Sequence, residues 1–115
     1  MGDLSPHFSR SEFADRRDGS LEGPDPHLLE HLEELRALCG GRPLRIVSGY
    51  RSAATNLEVG GARNSLHLVG QAADIPSGYA TVAQAEESGF TGIGEKAGWA
   101  IHVDVRRGTA ARWQY

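Results

Sequence analysis

Asn64-Ser65-Leu66-His67-Leu68-Val69-Gly70-Gln71-Ala72-Ala73-Asp74 sets a histidine and an aspartate seven residues apart, with a glycine between them. Imidazole nitrogen and carboxylate oxygen are both ligands that zinc accepts, at about 2.0–2.2 Å. To share one ion the two side chains must converge. A straight helix would separate them by roughly 10.5 Å along its axis, and a straight strand by roughly 23 Å. The chain must therefore double back between His67 and Asp74. Gly70 is placed for that reversal, because glycine takes a positive φ without a steric penalty.

A third ligand is expected from a distant part of the chain. In Trp99-Ala100-Ile101-His102-Val103-Asp104-Val105-Arg106, Ile101, Val103 and Val105 alternate with Ala100, His102, Asp104 and Arg106. That is the period of a half-buried strand, with one apolar face and one carrying His, Asp and Arg together. Two histidines and one aspartate, with a fourth position left to water, is the ligand count of a catalytic rather than a structural zinc. The expected cofactor is one Zn2+ on His67, Asp74 and His102.

The surrounding residues carry a resemblance. Ser48-Gly49-Tyr50-Arg51-Ser52, then Asn56, then Ser65-Leu66-His67 with Gly70 and Ala73-Asp74, then His102-Val103-Asp104, resemble the zinc D-alanyl-D-alanine carboxypeptidases. The related L-alanyl-D-glutamate endopeptidases of phage lysins share the pattern. The likeness runs from about His7 to Trp113, in four short motifs in the family's order. It implies a LAS-type fold, similar to the hedgehog and D-Ala-D-Ala peptidase domains, with His67, Asp74 and His102 holding zinc. It also implies that Arg51 binds substrate and stabilises the oxyanion, a role that a permanently charged, forked guanidinium suits. Tyr50 beside it is a substrate-binding candidate, with core packing as its other reading. Ser65 either donates to substrate or a ligand, or forms a local turn. Many relatives carry an acid three residues before the last histidine, but here that position is Trp99. The remaining candidates for general base are Asp104 and Glu95. Asp104 lies on the same strand face as His102, about 7 Å along, and could instead orient a neighbouring ligand or simply pair with Arg106.

Composition bounds the rest. At 115 residues the chain is read as one domain, 1–115, with 39% apolar and 23% charged residues. A net charge of −3 gives no electrostatic support for a nucleic-acid partner. Cys39 is the only cysteine, which excludes an internal disulfide and fits a buried small hydrophobe made in a reducing compartment. The first residues show no basic region followed by an apolar run, so neither a secretory signal nor membrane insertion is expected. On that reading the protein is made in the cytoplasm and meets the cell wall after lysis or by delivery on a particle.

The remaining segments read as follows. Ser9 and Glu12 form a capping box on a short turn that Phe8 and Phe13 pin down, and His7 is structural or at the surface. Residues 14–23 are an exposed loop. Asp25-Pro26 begins a helix with Leu28, Leu29, Leu32, Leu35 and Leu38 on one stripe, stopped by Gly40-Gly41. His27 and His31, four apart on it, could in principle clamp a metal but read as surface residues. Residues 44–48 are a short strand, Ser52 caps a helix to about Val59, and 72–75 is a second strand. Residues 81–88 are a helix, 92–95 an edge strand or bulge, and Trp113 packs back on the sheet. The fold expected is α+β, a small antiparallel sheet backed by helices. The function expected is zinc-dependent hydrolysis of peptidoglycan stem peptides, of D-Ala-D-Ala carboxypeptidase or L-Ala-D-Glu endopeptidase type. The alternatives are a catalytically weak wall-binding module, or a structural component of a phage tail or tail-like particle.

Overall fold

In a computed structural model that describes residues 2–115, the first elements form where capping residues permit them. The Glu12 carboxylate accepts from the Ser9 amide at 2.7 Å and starts helix α1, Arg10–Phe13. Phe8 and Phe13 are fully buried and meet edge to face, with centroids 6.0 Å apart. Asp25 accepts from the His27 amide at 2.8 Å, Pro26 occupies the first turn, and helix α2 runs Pro26–Leu38. Leu28, Leu32 and Leu35 are fully buried, each stabilising the domain by roughly 1.5–3 kcal/mol. Leu38, at the last position of the expected stripe, is 42% exposed. Cys39 is buried at the helix end, as its small apolar character suggests. His7 sits at the surface with Nδ1 2.6 Å from Glu33, His27 is exposed, and His31 is half-buried against Phe90.

Helix α3, Ala53–Glu58, is capped by Ser52, whose hydroxyl accepts from the Thr55 amide at 3.2 Å. Its two polar interior residues are buried because loops need them. Thr55 donates to Asp15 at 3.0 Å, and Asn56 Nδ2 donates to the Ala62 carbonyl at 2.9 Å. Residues 14–23 are therefore not wholly exposed, as their charge suggested. Asp15 is buried within them and also accepts from the amides of Arg17, Asp18 and Ser52 at 2.8, 3.0 and 2.8 Å. A charged residue that ends four donors at once is the exception to the rule that charge marks solvent.

The sheet comprises β1 (Ala72–Asp74), β2 (Gly92–Lys96), β3 (Trp99–Asp104) and β4 (Ala111–Gln114), in the order β1-β3-β2-β4. Helix α4, Val82–Glu87, packs on β2 and β3 and is capped by Thr81 with Gln84. The sheet is mixed rather than antiparallel. β1 and β2 run antiparallel to β3, whereas β4 runs parallel to β2. The chain reverses once after β3 but lands beyond β2 instead of beside β3, so the returning strand shares the direction of β2. That landing also makes β2 an inner strand, not an edge.

Two further expectations change. Residues 44–48 are extended, with Leu44 and Ile46 buried, but pair only through a bridge between Ser48 and Asp74. On that segment the Ile46 and Val47 carbonyls are taken by the Arg16 guanidinium, at 2.9 and 3.3 Å, where a neighbouring strand would have bonded. In β3 the strict alternation fails at Ile101, which has no partner across the β2 ladder. The irregularity puts Ala100 in the core with Val103 and leaves Ile101 half-buried. His102 and Asp104 lie on the opposite face from Val103.

Asp15 yields a test of this arrangement. Burial opposes its charge, but the hydrogen bonds from Ser52, Asp18, Arg17 and Thr55 outweigh it and hold the carboxyl well below the usual range. Asp15→Ala is expected to lower unfolding stability at neutral pH by roughly 3 kcal/mol in urea denaturation. A depressed folded pKa means that the contribution is present above the unfolded value, about pH 4, and is lost as pH falls through the folded one. The gap between wild type and variant should narrow in acid; an unchanging gap would remove the ionised carboxylate from the account.

Candidate metal centre

Three elements deliver the centre. Ser65 caps a 3₁₀ turn, Leu66–Val69, by accepting from the His67 amide at 3.2 Å. Gly70 ends the turn at φ +71° and sends the chain back into β1, as the reversal between His67 and Asp74 requires. A Cβ on Gly70 would stand 2.5 Å from the Glu22 carbonyl, so both the conformation and the close approach demand glycine. β1 then pairs with β3 in a register that sets Asp74 directly opposite His102. Opposite residues in an antiparallel pair share a face, with Cβ atoms about 5 Å apart.

The three side chains meet. Asp74 Oδ1 lies 3.3 Å from His67 Nε2 and 3.2 Å from His102 Nδ1. Atoms about 2.0–2.1 Å from a tetrahedral zinc are separated by about 3.3 Å, so these distances suit a shared ion. The far nitrogen of each ring is committed. His67 Nδ1 donates to the Gly49 carbonyl at 2.7 Å, and His102 Nε2 donates to Asp104 Oδ2 at 2.8 Å. Each bond fixes a tautomer whose remaining nitrogen is a lone pair directed at Asp74. His67 is 1% exposed, and its Nε2 is buried with no hydrogen-bond partner among the described residues. A buried, unpartnered acceptor is costly, and a cation is what removes the cost. The cluster fits a zinc site.

Charge is arranged to keep the carboxylates ionised. Burial works against the charge on Asp74, but without the ion a proton on His102 or His67 outweighs it and holds the carboxyl well below its ordinary range. Asp104 is fully buried, but the Arg106 fork and His102 outweigh that burial and depress it likewise. The same two aspartates overcome the effect of burial on His102 and raise its pKa.

The cluster lies in the wall of a cavity of about 1060 Å³ that also holds Ser65, Arg51, Asp104, Arg106, Arg107 and Trp113. On a chain of net charge −3, five arginines border it. Arg16 is occupied by backbone carbonyls, Arg17 by Glu58 and Arg106 by Asp104, while Arg51 and Arg107 make no side-chain hydrogen bond among the described residues. The Arg51 amide donates to the His67 carbonyl at 3.0 Å, which ties that arginine to the ligand turn.

Not every expected site residue arrives. Tyr50 does not line the cavity; its hydroxyl donates to Glu22 at 3.0 Å. Glu95 is also absent from the cavity wall. It accepts from Gln114 Nε2 at 2.9 Å and borders a smaller cavity beside Val82 and Arg112, because the irregularity at Gly94 and Glu95 shifts the strand register there. Asp104 does arrive, but both of its oxygens are engaged, by His102 and by the backbone amide and guanidinium of Arg106. The Gly49 carbonyl is not legible in the sequence, because a backbone acceptor has no side-chain signature. The one available signal for the space around Asp104 was Gly92-Ile93-Gly94, since glycines inside a strand often mark a close approach.

A domain that turns two imidazole lone pairs and a carboxylate onto one point, in the wall of a wide cavity, has the layout of a zinc-dependent enzyme. Residues 6–104 match the Peptidase M15 family, and the chain belongs to it. The zinc D-Ala-D-Ala carboxypeptidase of Streptomyces albus G is 41% identical over 66 residues, 54% of this chain and 26% of that protein. The peptidoglycan L,D-endopeptidase MepK of Escherichia coli K12 is 33% identical over 113 residues, 88% of this chain and 60% of that protein. The chain thus spans about a quarter of one relative's length and three fifths of the other's.

The reversal is testable through Gly70. Gly70→Ala is expected to destabilise the fold by about 1–3 kcal/mol and to lower zinc retention during dialysis against limiting metal. Unchanged stability and retention would show that the turn does not depend on the left-handed residue.

Proposed function

We propose that this chain is a zinc peptidase that hydrolyses peptide bonds in peptidoglycan stem peptides. The observation that carries the reading is the convergence of His67 Nε2, His102 Nδ1 and Asp74 Oδ1, each nitrogen's tautomer fixed from behind. His67, Asp74 and His102 would hold one zinc. When bound, zinc acts as a Lewis acid that polarises a carbonyl and brings the pKa of a water towards neutrality. The chain's own residues do the rest. Arg51, on the cavity wall with no carboxylate partner among the described residues, receives either the developing oxyanion or a substrate carboxylate. Asp104 serves by holding His102, since a carboxylate committed to four donors is a weak base. Ser65 holds the ligand turn through the His67 amide.

Between the two types of cut, the endopeptidase reading has more support. The likeness to the L,D-endopeptidase extends over more of the chain, 88% against 54%. The relatives named above are bacterial proteins, and particle delivery takes no support from them. The absence of an acid at Trp99 motivates a second reading, a wall-binding module without turnover.

Metal content by mass should give about one zinc per chain for wild type, with loss of stoichiometric metal in His102→Ala. Wild type should release peptides from purified peptidoglycan, His67→Ala should not, and Arg51→Ala should lower kcat by about 100-fold with zinc retained. Equal release by wild type and His67→Ala would remove the zinc-peptidase reading. No release by either, with zinc held by wild type, would favour the binding module.

A further inference from the structure

We infer that Arg106 and Trp113 are positioning residues for His102, closing a circuit of contacts that keeps its Nδ1 turned towards Asp74 and His67. The inference deepens the proposed zinc site and rests on that reading. Both residues lie beyond the end of the family match at residue 104.

The circuit can be followed atom by atom. His102 Nε2 donates to Asp104 Oδ2 at 2.8 Å. Arg106 grips the same carboxylate as a fork, with Nε 2.9 Å from Oδ1 and Nη2 2.7 Å from Oδ2, and its amide adds a bond of 3.1 Å. The guanidinium carbon stands 5.1 Å from the Trp113 ring centroid. Trp113 returns to the start, its ring 4.9 Å from that of His102 and inclined at 53°. A half-turn of an imidazole about its Cβ–Cγ bond would put Cδ2 where Nδ1 stands and Cε1 where Nε2 stands, taking both nitrogens of His102 away from Asp74 and Asp104. Here one face of that movement is blocked by the indole, and the acceptor for Nε2 is itself held against rotation by a bidentate partner.

The sheet explains how residues two strands apart make contact. Gly94 pairs with His102 on one side and with Trp113 on the other. With no side chain between them, the two rings lean together across β2. A Cβ on Gly94 would stand 2.7 Å from Trp113 Nε1 and 2.6 Å from Tyr115 Cε2. Gly92 does the same for the carboxylate: it pairs with Asp104, and a Cβ there would lie 2.0 Å from Asp104 Oδ1. The two glycines of β2 are thus the floor on which the circuit rests. The parallel pairing of β4, unforeseen from the sequence, is what brings Trp113 into it.

The test measures His102 with and without metal. Zinc affinity would be read by competition with a chromogenic chelator for wild type, Trp113→Phe, Trp113→Leu and Arg106→Gln. In the metal-free proteins, nitrogen NMR would report which nitrogen of the neutral His102 ring carries the proton. Circular dichroism would confirm folding, and Arg106→Gln, at a half-buried position, carries the test should Trp113→Leu not fold. Trp113→Phe keeps a ring in place and should match wild type within about threefold, whereas Trp113→Leu and Arg106→Gln should bind zinc about 10–100-fold more weakly. The latter two should also show a mixture of tautomers where wild type shows only the Nε2–H form. Wild-type affinity and a single tautomer in the folded variants would overturn the inference. Failure of wild type to bind zinc would sink the zinc reading alone, because the tautomer measurement decides the circuit without metal.

Discussion

Each imidazole at the centre has one nitrogen occupied from outside, and on that constraint the rest of the structure depends. The Gly49 carbonyl takes the proton of His67 Nδ1, and the Asp104 carboxylate takes that of His102 Nε2. Without these acceptors either ring could present an N–H to the cluster, and an N–H cannot ligate a cation. With them, two lone pairs face one carboxylate oxygen at 3.3 and 3.2 Å. The 3₁₀ turn, the Gly70 reversal, the β1–β3 register and the Ser48–Asp74 bridge place those acceptors and donors to within hydrogen-bond tolerance.

A small domain has few ways to bury so many polar groups, and this one buries them in closed sets. Asp15 ends donors from two segments and joins the early loop to α3; Asp104 ends donors from His102 and Arg106. In both, hydrogen bonds to the charged form outweigh burial, so the carboxylates stay ionised where an isolated one would not. Arg16 performs the converse service by supplying donors to carbonyls of residues 46 and 47 that lack a strand partner.

How much was legible differs by residue. His67, Gly70, Asp74 and His102 could be read as candidates because three ligand-type residues and a glycine fall in one family order, and the capping residues Ser9, Asp25 and Ser52 could be read because capping is local. Tyr50 and Glu95, each given with another reading open, lie outside the cavity wall for a common reason: proximity in sequence to a site residue does not say which side of the backbone a group leaves from. In β3, two-residue periodicity assigned Ala100 and Ile101 to the wrong faces, since a single unpaired residue shifts the alternation beyond it. Trp113 was recognisable as a packing residue, but its contact with His102 runs across an intervening strand and depends on Gly94.

By itself the sequence determined which residue types could serve as ligands, the need for a reversal at Gly70 if two of them are to meet, the helix starts and the α+β character, because these follow from covalent chemistry and from interactions within a few residues. Tertiary structure alone decided the direction of β4, the tautomers of the two histidines and the engagement of Asp104 by Arg106 and His102. Those are settled by groups far apart in the chain competing for the same donors, acceptors and space, and a linear order of residues carries no distances between them.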